Sequence, residues 1–156
     1  MKRIAPVLVA LTMMLASASA ETVSIFCKPG DEVNIRTRAN SHSEVCGRYQ
    51  CGYTFETDGK TKRDGKGRTW VHMVNAQLEV TEAWVCAAYV QDSVTVETCR
   101  ATVDARGRVA IRKTPGGNRV AWAQVGDNVT VYAYSNEWAV TDRGYISMDC
   151  LSFEGV

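Results

Sequence analysis

Apolar and polar residues alternate along much of the chain, and turn residues interrupt the alternation every few positions. The pattern is clearest over residues 107–151, in segments centred on Val109/Ile111, Val120/Trp122, Val129/Val131/Ala133, Trp138/Val140 and Tyr145/Ile146. A period of two is typical of strands with one buried face, and no apolar period of 3.6 residues persists beyond two turns. We therefore predict an all-β fold, in which five strands within this short stretch bury their faces by curling into a small barrel.

The landmarks of this stretch also resemble a known family. A Val-x-Ile-Arg run, a Pro-Gly loop, Gly-Asp before Val-x-Val, a Trp after a tight turn, and Gly-Tyr-Ile before a closing Leu are similar to the bacterial SH3-like (SH3b) domain. The landmark residues are Val109, Ile111, Arg112, Pro115, Gly116, Val120, Val125, Gly126, Val129, Val131, Trp138, Val140, Gly144, Tyr145, Ile146 and Leu151. The resemblance implies an SH3-like barrel in an exported, non-catalytic module, of a family many of whose members are thought to bind peptidoglycan or its peptides.

An earlier part of the chain repeats these landmarks in the same order. Val33-Asn34-Ile35-Arg36 matches the Val-x-Ile-Arg run, Gly52-Tyr53-Thr54-Phe55 matches residues 126–129, and Trp84-Val85 matches Tyr145-Ile146. The first copy lacks the Pro-Gly loop and has longer excursions at residues 58–68 and 75–82. We predict two tandem SH3-like barrels, over residues 21–92 and 99–156, in preference to one larger sandwich.

The first 20 residues have the organisation of a secretory signal peptide. Lys2 and Arg3 precede an apolar run over residues 4–15, and Ala18-Ser19-Ala20 has the form of a cleavage site. The apolar run is shorter than the roughly 20 residues that a bilayer crossing requires. We therefore expect cleavage, no membrane anchor, and an exported protein that is periplasmic or extracellular.

Charge argues against a nucleic-acid partner. Removing Lys2 and Arg3 from the 18 basic residues leaves 16, against 17 acidic residues. Nucleic-acid binding normally requires a clustered excess of positive charge, which a nearly neutral chain does not supply.

All six cysteines lie after the expected cleavage site, and an even number in a small exported chain indicates three disulfides. Six cysteines allow fifteen pairings, and the sequence leaves them open. Cys46 and Cys51 flank residues 47–50, so a tight connection there would allow a Cys46–Cys51 bridge. The SH3-like resemblance, in which the chain ends run side by side, implies Cys27–Cys86 and Cys99–Cys150.

Catalytic and metal chemistry have few candidate residues. His42 and His72 are the two histidines, whereas a cysteine nucleophile needs a neighbouring base. Neither a Gly-x-Ser-x-Gly elbow nor a His-Glu-x-x-His helix occurs. His42, Cys46 and Cys51, with Cys27 as a fourth ligand, have a spacing that suits zinc, but an oxidising compartment favours disulfides. We therefore expect no enzyme activity, no metal and no cofactor.

Two surfaces are candidates for ligand binding. Tyr132 and Tyr134 alternate against buried positions and should face outward, where aromatic rings bind peptides or sugars. The candidate groove consists of Tyr132, Tyr134 and Trp138 with Asn136 beside them, and Trp70 of the first copy is a further candidate. The second surface is a basic loop, which is either a solvated hairpin tip or a contact for an anionic polymer. Its cations are Lys60, Lys62, Arg63, Lys66 and Arg68.

The sequence thus favours an exported non-catalytic protein that recognises peptidoglycan or another cell-envelope polymer. The alternative is interaction with an envelope protein, as an inhibitor or a phage-associated structural or accessory protein. Both functions rest on fold analogy, which does not by itself determine a ligand.

Overall fold

Strands form where the alternation predicts them in the computed structural model, which describes residues 19–74 and 78–155. The strands of the first half are β1 (Glu21–Ile25), β2 (Glu32–Arg36), β3 (Val45–Gln50), β4 (Thr54–Thr57), β5 (Thr61–Arg63), β6 (Thr69–Met73), β7 (Ala83–Cys86) and β8 (Val90–Gln91). Those of the second half are β9 (Cys99–Val103), β10 (Val109–Arg112), β11 (Arg119–Ala123), β12 (Asn128–Tyr134), β13 (Trp138–Thr141), β14 (Gly144–Ser147) and β15 (Leu151–Phe153). Single 3₁₀ turns precede β8 and β15, at Ala87–Tyr89 and Met148–Cys150.

The all-β prediction is confirmed. In β12, for example, Val129, Val131 and Ala133 are buried while the residues between them are partly exposed, as a period of two requires. Residues 1–18, which hold most of the expected signal peptide, lie outside the described residues. Within residues 19–74 and 78–155, no helix has the length and apolar character needed to cross a membrane.

The strands of each half follow one antiparallel order. In the second half they form a seven-stranded sheet, β11-β10-β14-β13-β12-β9-β15. In the first half they form two sheets, β3-β2-β7-β6-β5 and β4-β1-β8. The consecutive strands β4 and β5 together occupy the position of β12, so joining the two sheets at these strands gives the same order as in the second half.

Equivalent register shifts accompany this equivalent order. The pairing of β2 with β3 shifts between Ile35 and Arg36, and that of β10 with β11 shifts between Ile111 and Arg112. The strand on the other side of each run is also paired equivalently. Arg36 of β2 pairs with Trp84 of β7, and Arg112 of β10 pairs with Tyr145 of β14. The two Val-x-Ile-Arg runs therefore occupy the same structural position.

A glycine bulge begins the strand after β3 and the strand after β11. Gly52 has φ 84° and its N–H donates to Ile25 O at 2.8 Å, while Ile25 N–H donates to Tyr53 O at 2.8 Å. Gly126 has φ 88° and makes the same bond to Val103 O, at 2.8 Å. A positive φ at the first bulge position favours glycine because other residues meet a steric penalty there.

Within residues 19–74 and 78–155, three buried clusters hold the sheets together. One lies within the first half around Ile25, Ile35 and Val85, and a second lies within the second half. The third combines Phe26 of the first half with residues of the second half, namely Ala133, Val140 and Tyr145. Because apolar surface is buried from both sides, this third cluster joins the two halves.

Candidate functional site

The main cleft lies at the junction of the two halves. Its volume is about 670 Å³, and most of its lining comes from the first half. The second half contributes Lys113, Thr114 and Tyr145. Clefts of this size between structural units are common ligand sites, because they surround a small molecule or a short peptide on several sides.

Asp64, at the turn between β5 and β6, fixes one wall of the cleft. Its side chain is 4% exposed and forms an ion pair with Arg68 at 2.9 Å. The same carboxylate accepts a hydrogen bond from Trp70 Nε1 at 3.0 Å, and Arg68 Nη2 also bonds Ser41 Oγ at 2.6 Å. Arg68 and Trp70 both line the cleft, so Asp64 holds a cation and an aromatic ring in place there.

The protonation of Asp64 follows from these contacts. Burial alone would raise the pKa of Asp64, but the hydrogen bonds from Trp70, from backbone N–H groups and from Arg68 lower this pKa to about 2. Hydrogen bonds to a carboxylate favour its charged form. Asp64 is therefore ionised at neutral pH, and this wall of the cleft keeps its arrangement.

A second cation of the cleft belongs to the Val-x-Ile-Arg run. Arg36 Nη1 donates to Ser43 O at 2.6 Å, across the loop between β2 and β3. Arg112 Nη1 makes the corresponding bond to Gly117 O at 2.7 Å in the second half. The arginine of each run thus fastens the loop that follows it, and in the first half that arginine also lines the cleft.

Tyr145 connects the cleft to the junction between the halves. Its ring meets the Phe26 ring edge-on, with centroids 5.6 Å apart and planes at 73°. Phe26 is completely buried and Tyr145 is 7% exposed. Burial, together with nearby acidic groups, raises the pKa of Tyr145 well above its usual range, so the phenol stays neutral.

Charges of both signs surround the cleft. Asp31 and Glu32 are exposed carboxylates in its lining, and Lys28 and Lys113 are exposed amines there. With Arg36 and Arg68 they provide partners for a ligand that carries both a carboxylate and an ammonium group. Trp70 and Tyr89 add apolar ring surface.

The groove residues singled out in the sequence do not share one cavity. Tyr132 packs on the cluster that joins the halves, with the Lys28 ammonium 5.8 Å from its ring centroid. Tyr134 contacts Phe153, with ring centroids 5.8 Å apart. Asn136 and Trp138 line two other cavities, and Trp70 lines the main cleft. The structure therefore distributes the predicted aromatic groove over several places.

The predicted basic loop is the β5–β6 hairpin, where ion pairs and ring contacts engage several cations. Lys60 pairs with Asp58 at 2.8 Å, and Arg68 pairs with Asp64 as described above. Lys62 lies over the Trp84 ring at 4.8 Å, and Arg63 Nη2 donates to Gly67 O at 3.4 Å. Lys66 is exposed at the tip. The structure separates Arg68, which belongs to the cleft, from the outer cations of this hairpin.

Two of the predicted cysteine pairs lie on opposite ends of single strands. Residues 47–50, predicted as a tight connection, belong to the extended strand β3, so Cys46 and Cys51 are roughly 16 Å apart. Cys99 starts β9, whereas Cys150 lies opposite Asp104, just beyond the other end of β9, which again gives roughly 16 Å. A disulfide requires Cα atoms within roughly 7 Å. The structure brings neither pair together, because continuous strands separate their members.

Cys27 has a different neighbour from the one predicted. All six cysteines are free thiols in this structure. The Cys27 thiol donates to Asp31 O at 3.7 Å, and contact with the Cys51 thiol raises the pKa of Cys27. Cys86 lines the same cleft as Cys27 and lies opposite Trp70 in the β6–β7 pair. Contact with Cys51, and not with Cys86, thus dominates the surroundings of the Cys27 thiol.

Sequence reasoning missed most of the cleft. It used Arg36 and Tyr145 as fold landmarks, and it did not single out Asp31, Asp64 or Lys113 as site residues. A signal for Arg36 was present, because the Val-x-Ile-Arg run occurs twice in the sequence. Within residues 19–74 and 78–155, no group of three or more His, Cys, Asp or Glu side chains is arranged to hold a metal ion.

Comparison with known proteins gives distant structural similarity. No family model matches the chain, and no curated protein sequence matches it. The solved structures of NlpC2 and NlpC1 from Trichomonas vaginalis are similar, at 12% and 13% identity and TM-scores of 0.31 and 0.32. The alignments cover 88% and 89% of this chain but 49% and 48% of those chains, so this chain spans about half the length of the structures that it matches.

Proposed function

We propose that this protein is an exported, non-catalytic binding protein built from two SH3-like barrels, and that it recognises peptidoglycan or another cell-envelope polymer. The equivalent strand order, register shifts and glycine bulges of the two halves support the tandem arrangement. The signal-like first 20 residues support export. The mixed charge of the cleft supports the recognition role and suggests the class of ligand.

The observation that carries this proposal is the mixed charge of the cleft. The lining offers arginine and lysine to the free carboxylate of a peptide, and Asp31 and Glu32 to its free amine. Peptides of peptidoglycan carry both groups, so this polymer suits the cleft better than a polyanion would. Arg68 is already oriented by Asp64, which lowers the entropy cost of binding a carboxylate.

Co-sedimentation with purified peptidoglycan sacculi tests the proposal. The unmodified chain should sediment with sacculi above an albumin control. Lys113→Glu reverses an exposed charge in the cleft and should weaken binding roughly tenfold, since an unfavourable charge contact costs more than a kcal/mol. Lys66→Glu is the matched control, because it makes the same charge change at an exposed position outside the cleft.

Each outcome separates one hypothesis from another. Binding that depends on Lys66 and not on Lys113 would move the site to the hairpin tip and indicate an anionic polymer. Loss of binding with Trp138→Ala alone would favour the outer aromatic residues. If the unmodified chain does not sediment above albumin, wall recognition is wrong, and a protease-sensitive partner in an envelope extract would then identify the protein-binding alternative.

A further inference from the structure

Two cysteines meet where β1 ends and β3 ends. Cys27 is 4% exposed, its thiol donates to Asp31 O at 3.7 Å, and the same thiol contacts the Cys51 thiol. Each sulfur also faces the backbone N–H of the other residue, and Cys51 faces the N–H of Gly52 in addition. Reciprocal contacts of this kind require the two backbones, and not only two long side chains, to lie close together.

The glycine bulge explains why the backbones approach here. Ile25 both donates to Tyr53 O and accepts from Gly52 N–H, so the chain after β1 runs directly beside the chain after β3. Phe26 N–H is held on its other side by Tyr89 O at 2.9 Å. The two residues that precede Cys27 are therefore held from both sides, which places Cys27 beside Cys51. A disulfide requires this proximity, with Cα atoms within roughly 7 Å.

We propose that Cys27 and Cys51 form a disulfide that covalently joins the end of β1 to the end of β3. This pairing differs from the pairs that the sequence suggested. Cys27 lines the ligand cleft, and Phe26 beside it packs in the cluster that joins the two halves. The bridge therefore fixes the backbone at the point where the cleft and the junction of the halves meet.

The reaction is an exchange with a disulfide oxidant such as oxidised glutathione. The Cys51 thiolate attacks one sulfur of that oxidant, forms a mixed disulfide and releases one glutathione thiolate. Cys27 then loses its proton and attacks the Cys51 sulfur, which forms the protein disulfide and releases the second glutathione. Two thiols are oxidised and one glutathione disulfide is reduced to two thiols.

The order of attack follows from the contacts of the two sulfurs. Contact with the Cys27 thiol and hydrogen bonds from backbone N–H groups lower the pKa of Cys51 despite its burial. The contact with Cys51 and burial raise the pKa of Cys27. The thiolate is the attacking species, so Cys51 reacts first.

Peptide mapping without reduction tests the pairing. The full chain is produced in an oxidising compartment, treated with an alkylating reagent, and digested with trypsin. Cleavage after Arg36, Arg48 and Lys60 separates Cys27, Cys46 and Cys51 into three peptides. We expect a cross-linked species that joins the peptide ending at Arg36 to the peptide over residues 49–60. A species that joins Cys27 to Cys46 or to the peptide holding Cys86 would overturn the proposal, as would alkylation of both Cys27 and Cys51.

Single substitutions provide the second measurement. Cys51→Ser should make Cys27 available to the reagent once the protein is unfolded without reductant, whereas Cys46→Ser should leave Cys27 protected. Dithiothreitol should lower the urea midpoint of the unmodified chain, because it reduces the Cys27–Cys51 bridge. It should lower the midpoint of Cys51→Ser less, because that variant cannot form this bridge. Equal labelling of Cys27 in the two variants would contradict the pairing even if both variants fold.

Discussion

Phe26 is the side chain whose removal most directly tests whether the two halves form one cooperative unit. It comes from the first half, is completely buried, and packs on Ala133, Val140 and Tyr145 of the second half. Replacing a fully buried phenylalanine by alanine costs about 3–5 kcal/mol, because apolar contacts are lost and a cavity remains. The edge-on contact with Tyr145 accounts for about 0.5–1.5 kcal/mol of that loss.

Urea unfolding followed by tryptophan fluorescence measures this effect, because the tryptophans report on both halves. Trp70 and Trp84 lie in the first half and Trp122 and Trp138 in the second. In the unmodified chain, the tryptophans of the two halves should report one common unfolding transition. Phe26→Ala should lower the free energy of unfolding by about 3–5 kcal/mol and separate the two transitions.

Two controls distinguish the junction from a general loss of packing. Phe26→Leu keeps most of the apolar volume and should cost less than about 1.5 kcal/mol. Phe153→Ala removes an equally large ring that is only partly buried at the end of β15, and it should not separate the transitions. A loss below about 1 kcal/mol with Phe26→Ala, with both tryptophan sets still coincident, would refute the claim that this cluster joins the halves.

Two further predictions concern a carboxylate and a glycine. The folded pKa of Asp64, about 2, lies below its unfolded value of about 3.9, so the stability that Asp64 provides is complete above about pH 4 and is lost as the pH falls through 2. Asp64→Asn should therefore have a lower urea midpoint at pH 6 and a shallower fall between pH 4 and 2; parallel curves would contradict this. Gly144 has φ 130°, and an added Cβ would lie 2.8 Å from Ile111 Cγ2 and 2.9 Å from Arg112 O. Gly144→Ala should cost at least about 1–3 kcal/mol in urea unfolding, while Gly107→Ala, where a Cβ meets no neighbour within 4 Å, should change little.

The strands were predictable because their signal is local. A buried face repeats every second residue, so a few consecutive positions such as Val129, Val131 and Ala133 carry enough information to identify β12. The repeated order of landmarks carried more information about the fold, because it predicted that Arg36 and Arg112 occupy equivalent positions. Their matching bonds to loop carbonyl oxygens at 2.6 and 2.7 Å agree with that alignment.

The cleft was not predictable in the same way because its residues meet only through tertiary packing. Phe26 follows β1 as one more apolar residue, and nothing in its sequence neighbours indicates that its ring contacts Tyr145, far along the chain. Asp64 lies among five cations, and charge counting predicts a solvated carboxylate there. Its actual burial depends on the Trp70 indole N–H, which needs a hydrogen-bond partner.

The cysteines show most clearly why the distance along the sequence misleads. Cys46 and Cys51 are five residues apart, which is close if the chain turns between them and far if it is extended. Residues 47–50 contain one glycine, and that glycine pairs with Ile35 in a ladder rather than starting a turn. The chain turns at Gly52, directly after Cys51. The positive φ of Gly52 and the glycine bulge direct the chain back along β1. Cys51 therefore meets Cys27 because it directly precedes that bulge, and the same bulge geometry at Gly126 places Val125 at the equivalent position of the second half. Because that position holds a valine, the second half has no corresponding bridge. A Cys27–Cys51 disulfide would therefore stabilise the first half alone.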